Sequence, residues 1–333
     1  MSATILALAG CIRATAALPP AAAISVTPTP LIPLEPTPVP TPSSFPLTEA
    51  GCCARPWWSA DGSQILFVDD PPGDRPLGVY ALSPDGGEIS LASLSLSGVP
   101  LSPLDLSAPA LDLPAAARNI RLSPDAEQVA WSEGSTEPVN VDMRRRSVWA
   151  SNIQDGIPRR RLTLIGGDLI GWAGDGKALV VSGRLTEGGQ GGVWRVPLDG
   201  GPPLLLAPGE RPRSAVLSPS GEWVAFYLAF EEVPARNGVW IVRTSGDSVR
   251  SLPGLASYRW GREGQFLFVP YTVGRIGLTL LELDLGTGET TVLFDEDAFP
   301  GGIASNEWSA SPAGDRIVYR SAADGRLWVI HLG

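Results

Sequence analysis

A ten-residue segment that recurs six times constrains this chain more than any other feature. The copies align without gaps and begin at Trp58, Leu122, Trp172, Leu217, Trp260 and Ala310. Successive copies start 64, 50, 45, 43 and 50 residues apart. A period of this length means that one small structural unit is built repeatedly and that its copies pack on one another.

Each copy predicts a strand, a tight turn and a second strand. An Asp or Ser at the fourth position can accept a hydrogen bond from the backbone two residues later, and a Gly at the fifth takes a positive φ without a steric clash. Apolar residues follow the turn, as in a buried strand. The predicted turn residues are Asp61, Gly62, Asp125, Asp175, Gly176, Ser220, Gly221, Gly264 and Gly314.

A second motif follows each copy and predicts two more strands. It places an aromatic residue at Tyr80, Trp149, Trp194, Trp240 and Trp328 in five of the six copies, before another turn and a short strand. Each unit therefore has strands A, B, C and D. Seven of the 11 tryptophans hold fixed repeat positions, where we expect them to wedge between units.

The turn-and-strand segments resemble the repeats of TolB-type, WD-repeat-like β-propellers of bacterial envelope proteins. The resemblance covers about residues 55–333. It implies an all-β, six-bladed β-propeller of four-stranded blades, and it implies no single function. The sixth copy ends just after its strand C, so we expect residues 45–52 to pair there as the missing outer strand and close a domain of residues 45–333.

The amino-terminal residues predict a targeting signal and a tether that connects the domain to a membrane. Leu8-Ala9-Gly10-Cys11 resembles the lipobox of bacterial lipoproteins, which implies a signal segment over residues 1–10, a lipid on Cys11 and an extracytoplasmic position at the membrane. No Lys or Arg precedes the apolar run, so an upstream start or an incidental cysteine remains an alternative. Residues 11–44 are rich in Pro and Thr and predict a disordered, extended spacer.

Charge and residue usage exclude several functions. A formal net charge of −10 disfavours nucleic acid as a partner. The single histidine, His331, leaves little for acid–base catalysis or zinc binding, so we expect no cofactor and no metal site. Cys52 and Cys53 would face opposite sides of a strand, which favours two separate thiols over a vicinal disulfide.

Binding residues are expected in the longer, variable B–C and D–A connections, which share one face of a propeller. The candidate contacts there are Arg144, Arg145, Arg146, Arg184, Glu231, Glu232, Arg236, Arg275, Asp295, Glu296 and Asp297. The alternative is a solvated charged rim. A second run, Arg159–Arg161, begins at the other end of its unit, and we expect it to stay separate from Arg144–Arg146.

The sequence thus favours a monomeric, lipid-anchored module that binds a protein, peptide or glycan on this loop face. It would contact the membrane only through the lipid. One alternative is a hydrolase or lyase that uses carboxylates at the mouth of the central channel. Another is a sensor or structural component of an envelope assembly. Two carboxylates and an arginine in one pocket would favour the enzyme, and exposed aromatics on a shallow face would favour binding.

Overall fold

The computed structural model describes residues 43–49, 52–69, 76–93, 113–135, 140–271, 279–294 and 302–332. Within these ranges the chain is almost entirely β-strand, with two short 3-10 helices at Val141–Met143 and Pro234–Arg236. None of the helices in the described ranges has the length and apolar content needed to cross a membrane. Cys11, Arg275, Asp295, Glu296 and Asp297 lie outside the described residues.

In the described part of the chain the strands form four four-stranded antiparallel sheets and one eight-stranded sheet, and we describe them as six units of four strands. The first strand, β1 (Ser44–Pro46), belongs to the last unit. Unit 1 contains β2 (Ala54–Trp58), β3 (Ile65–Asp69), β4 (Gly78–Leu82) and β5 (Ser90–Ser93). Unit 2 contains β6 (Ala117–Leu122), β7 (Gln128–Gly134), β8 (Arg145–Asn152) and β9 (Arg159–Ile165). Unit 3 contains β10 (Leu169–Trp172), β11 (Ala178–Arg184), β12 (Gly191–Pro197) and β13 (Leu204–Pro208).

The second half of the chain repeats this pattern. Unit 4 contains β14 (Arg213–Leu217), β15 (Trp223–Leu228), β16 (Gly238–Arg243) and β17 (Val249–Pro253). Unit 5 contains β18 (Ala256–Trp260), β19 (Gln265–Pro270), β20 (Leu280–Asp284) and β21 (Thr290–Phe294). Unit 6 contains β22 (Ile303–Ala310), β23 (Arg316–Ser321) and β24 (Leu327–His331), with β1 beside β24. One residue pair, Ile165 with Arg184, joins the sheets of units 2 and 3.

The A–B turns show why the sequence folds locally as it does. The Asp61 carboxylate accepts a hydrogen bond from the Ser63 N–H at 3.0 Å. Asp125 accepts one from the backbone of residue 127 at the same distance. Gly62 has φ +71°, and Ala126, which replaces glycine in the second copy, also adopts a positive φ of 56°.

The hydrophobic core consists of clusters between successive units. Five clusters each bury side chains from two units, namely units 2 and 3, 3 and 4, 4 and 5, 5 and 6, and 6 and 1. A sixth cluster, around Trp131, covers the other face of unit 2. Units 2 to 6 stack face to face in chain order and unit 6 packs on unit 1, which is the kind of arrangement found in a β-propeller. The all-β, propeller-type expectation is therefore confirmed.

The N-terminal strand completes unit 6. β1 runs antiparallel to β24, with Phe45 opposite Val329. Beyond the strand, Leu47 N–H donates to the Leu327 carbonyl at 2.7 Å, and Leu327 N–H donates back to Thr48 Oγ1 at 2.9 Å. The start and the end of the described chain are thus hydrogen-bonded to each other.

The expectation of two separate thiols at Cys52 and Cys53 is wrong, because the two residues form a disulfide. The physical reason is the backbone. Cys53 has φ +73° and precedes β2, so the alternation of side chains along a strand does not apply. The Cys53 N–H also donates to Asp69 Oδ1 at 3.3 Å.

Candidate functional site

We define the loop face as the end of the units that carries the B–C and D–A connections. Ion pairs connect neighbouring units at this face. Arg146 of unit 2 pairs with Asp168, just before unit 3, at 2.6 Å. Arg184 of unit 3 pairs with Glu210, just before unit 4. Each pair connects one unit to the next. These two predicted contact residues are therefore already engaged inside the molecule.

A further pair at this end was not predicted. Arg211 pairs with Asp142 at 2.7 Å and connects the loop before unit 4 to the B–C loop of unit 2. The Arg144 carbonyl accepts a hydrogen bond from Gly166 N–H at 3.0 Å, which connects the B–C loop of unit 2 to the end of β9. Asp142 and Arg211 carry no sequence signal of their own, because their loops lie about 70 residues apart in the chain.

A polar pocket of about 570 Å³ opens at the loop-face end of unit 2. Its charged lining consists of Glu133, Arg145, Arg160 and Glu187, and Arg145 pairs with Glu187 at 2.9 Å. Hydroxyl groups complete the wall, from Ser135, Ser147, Thr163 and Thr186. The pocket therefore brings two carboxylates and two arginines together with several hydroxyls.

The pocket corrects the expectation that the two arginine runs stay separate. Arg160 lies on β9 opposite Trp149, four residues along the ladder from Arg145. Its guanidinium bonds Thr163 Oγ1, so the side chain runs along the strand toward the loop face. The length of an arginine side chain is enough to carry the charge into the pocket that Arg145 lines.

Four exposed apolar side chains lie at the loop-face end of units 4 and 5. Phe230, in the B–C loop of unit 4, is 91% exposed and has φ +60°. Val233 in the same loop, Leu255 between the two units and Tyr271 after β19 are each about half exposed. Tyr271 N–H donates to the Leu255 carbonyl at 2.8 Å, which holds those two residues side by side. We call these four residues the apolar patch.

The loop that carries Phe230 is held firmly on its C-terminal side. Glu231 N–H donates to Asn237 Oδ1 at 3.0 Å, and the Glu231 carboxylate accepts a hydrogen bond from Glu210 N–H at 3.1 Å. Arg236 approaches the same carboxylate at 3.7 Å and donates to the Pro208 carbonyl at 2.6 Å. Glu231 and Arg236 thus position the loop, while Glu232 is exposed. A bulky residue at positive φ is a backbone outlier of the kind that clusters at ligand contacts.

Strand A, the first strand of each unit, is irregular near the loop face in most units. Strand A contains a register shift in units 1, 2, 3, 4 and 6, whereas β18 of unit 5 pairs regularly. Near the shifts, Arg55, Asn119, Ser214 and Asn306 adopt positive φ. Bulges of this kind are frequent beside binding sites because they redirect side chains. In the described ranges no three His, Cys, Asp or Glu side chains are grouped to hold a metal ion.

No family model matches this sequence, and no curated protein matches it. Among solved structures, a putative TolB from Agrobacterium tumefaciens is 20% identical with a TM-score of 0.41, over 86% of this chain and 96% of that one. An oligogalacturonate lyase in complex with manganese is 14% identical with a TM-score of 0.41, over 88% and 98%. The β-propeller domain of the Trilobed protease from Pyrococcus furiosus is 14% identical with a TM-score of 0.42, over 61% of each chain. Similarity this low says nothing about activity or ligand.

Proposed function

We propose that this chain is a lipid-anchored, extracytoplasmic, six-bladed propeller whose loop face binds a protein or peptide. Six units of four strands and five hydrophobic junctions between them support a single ring. The proposal adds a sixth junction, between units 1 and 2. Leu8-Ala9-Gly10-Cys11 and the nine prolines of residues 19–42 support the anchor and its spacer.

The apolar patch is the observation that carries the binding role. Single exposed apolar residues are ordinary on protein surfaces, but here four occupy one end of two neighbouring units. Phe230 is the best candidate for an anchor residue, because the ion-paired loop holds an aromatic ring in solvent at an unfavourable φ. Aromatic residues that fill a partner's pocket contribute a large share of interface energy. The partner surface should therefore be apolar at its centre.

Site-specific photocrosslinking in intact cells tests this role. A photoreactive phenylalanine analogue at position 230 should give a discrete crosslinked species, and a further Tyr271→Ala substitution should weaken it severalfold. The same analogue at Ile157, which is 55% exposed in the turn between β8 and β9 at the opposite end, is the matched control. Equal crosslinking from positions 157 and 230, or none from 230, would contradict the proposal.

Acyl labelling tests the anchor separately. Wild-type protein should incorporate a radiolabelled fatty acid and partition with membranes, whereas a Cys11→Ser variant should do neither. If the variant remains lipid-labelled, the anchor is not on Cys11, and the binding role of the loop face is unaffected.

A second candidate function rests on the polar pocket of unit 2. Two carboxylates, two arginines and several hydroxyls around about 570 Å³ suit a glycan, either bound or cleaved. Glu133→Gln and Glu187→Gln variants would be compared with wild type in binding and hydrolysis of an oligosaccharide panel. Glu222→Gln, at the A–B turn end of unit 4, is the control. A wild-type protein that neither binds nor cleaves any member of the panel would remove this candidate.

A further inference from the structure

One position of strand A directly precedes the first residue of the repeated segment in all six units. In units 1, 2, 3, 4 and 6 it pairs with the ninth residue of that segment on strand B, whereas in unit 5 Arg259 pairs with the eighth, Leu267. The six residues are Trp57, Arg121, Gly171, Val216, Arg259 and Ser309. Strand A has a hydrogen-bonded neighbour on one side only, so the backbone groups of its other edge are left unpaired by the sheet.

The two arginines of this set make the same contacts. Arg259 donates from Nε to the Trp308 carbonyl of unit 6 at 3.0 Å and from Nη1 to its own neighbour Tyr258 at 2.7 Å. Arg121 donates from Nε to the Ile170 carbonyl of unit 3 at 3.2 Å and from Nη1 to its own neighbour Ile120 at 2.9 Å. Each guanidinium therefore spans the innermost strands of two successive units.

Neither charge is neutralised by an ion pair in the described part of the chain. The carboxylate that interacts electrostatically with Arg121 is that of Asp168, which forms an ion pair with Arg146. The ionisable groups that act on Arg259 are the phenols of Tyr258 and Tyr271. Its remaining contacts are the Asn306 carbonyl, which accepts from Nη2 at 3.0 Å, and the Trp308 ring, 5.0 Å from the guanidinium carbon. Burial lowers the pKa of both guanidinium groups, because desolvation disfavours their charged form.

A cavity adjoins the first of these arginines. It has a volume of about 250 Å³ and is lined by Arg121, Gly171 and Val216, which are the equivalent positions of three successive units. Ser218 and Ser220 add hydroxyl groups to its wall. A cavity lined by the same position of successive inner strands is part of the axial channel of the ring. Units 2 and 5 are three units apart, so in a ring of six Arg121 and Arg259 stand on opposite walls.

We propose that the axial channel binds a small oxyanion, a carboxylate or a phosphate, through the guanidinium groups of Arg121 and Arg259. Two partly buried cations with spare N–H donors and no ion-pair partner in the described residues favour such a ligand, because charge-assisted hydrogen bonds to an oxyanion are the strongest that guanidinium forms. The site lies on the axis and does not involve the apolar patch, so it can exist whether or not the loop face binds a partner. It rests on the six-unit ring.

Thermal unfolding at constant ionic strength tests the site, with inorganic phosphate and succinate titrated in separate arms against sodium chloride. A specific ligand at about 100 times its dissociation constant should raise the Tm by roughly 5 °C, and the rise should saturate. Nonspecific stabilisation by phosphate increases without saturating. A response to phosphate alone or to succinate alone supports the proposal and identifies the oxyanion class.

Three substitutions then locate the ligand. Arg259→Gln and Arg121→Gln should weaken the apparent affinity at least tenfold. Arg243→Gln should leave it unchanged, because Arg243 lies on strand C of unit 4, pairs with Glu222 and Asp247 and is not part of the cavity lining. If the channel arginine variants do not fold, a Val216→Glu variant tests the proposal instead. Val216 is 37% exposed, so the protein should tolerate the substitution, which places a negative charge in the channel. It should abolish the saturable rise. A non-saturable wild-type response, or an affinity unchanged in Val216→Glu, would overturn the proposal.

Discussion

The contact between the two ends of the domain gives a quantitative prediction. β1 brings Phe45 and Leu47 against the cluster shared by units 6 and 1. Three hydrogen bonds beyond the ladder connect the segment to unit 6, from Leu47 N to Leu327 O, from Leu327 N to Thr48 Oγ1 and from His331 N to Ser43 O. A chain that begins at residue 50 loses all of these contacts, whereas a chain that begins at residue 43 keeps them.

The expected loss is large relative to the stability of a domain. Each hydrogen bond contributes about 1 kcal/mol net, and each half-buried apolar side chain contributes about 1 kcal/mol as well. The segment as a whole is therefore worth about 5 kcal/mol, against a typical total of 5–15 kcal/mol. The chain that begins at residue 50 should unfold on the order of 10 °C lower than the chain that begins at residue 43.

Guanidinium and thermal unfolding of the two chains measure this difference, and a pair of point variants refines it. Thr48→Val keeps the shape but leaves the buried Leu327 N–H without an acceptor, which should cost about 1–3 kcal/mol. Thr48→Ser keeps the hydroxyl and is the matched control. Equal unfolding midpoints for the two truncated chains would refute the view that β1 closes the domain.

Three further predictions concern single groups. In a Cys11→Ser variant, denatured protein should expose no thiol until a reductant is added, and then two, from the disulfide of Cys52 and Cys53. Hydrogen bonds from Ser59 and Ser63 lower the pKa of Asp61 to about 2, so Ser59→Ala should move it toward 3.8, as measured by NMR. Because that pKa is depressed, the contribution of Asp61 to stability is present above about pH 4 and is lost as pH falls toward 2. Burial raises the pKa of Tyr258, so ultraviolet titration should find this phenol neutral after free phenols ionise near pH 10, and its contribution to stability should decline above that pH.

The A–B turns could be predicted from the sequence because their determinants are local. An acceptor at position four and an N–H two residues later belong to the same short segment, as in Asp175 and Lys177 at 3.0 Å. Strand assignments follow for the same reason, since the alternation of apolar residues is visible within five residues. The backbone outliers of strand A at Asn119 and Ser214 leave no such trace. They depend on contacts between the A strands of neighbouring units, which a single repeat does not contain.

The roles of the charged loop residues could not be predicted, because their partners are distant in the chain. Arg145 meets a carboxylate 42 residues later, and Arg184 meets one 26 residues later. A run of arginines indicates only that positive charge is concentrated in the sequence. Whether that charge faces a ligand or a neighbouring unit depends on the packing of units, and here Arg146 and Arg184 face neighbouring units.

The position of the apolar patch follows from the same packing. Ion pairs join units 2, 3 and 4 at the loop face, and an interface there would have to replace contacts that already satisfy the arginines. At units 4 and 5 the exposed side chains of Phe230, Val233, Leu255 and Tyr271 take no part in these ion pairs, so burying them breaks none of the pairs. The runs of charge in the sequence predict a binding surface at the ion-paired loops, but the lower cost of desolvation favours the apolar patch. A partner should therefore dock over Phe230 and Tyr271 and leave the inter-unit ion pairs intact.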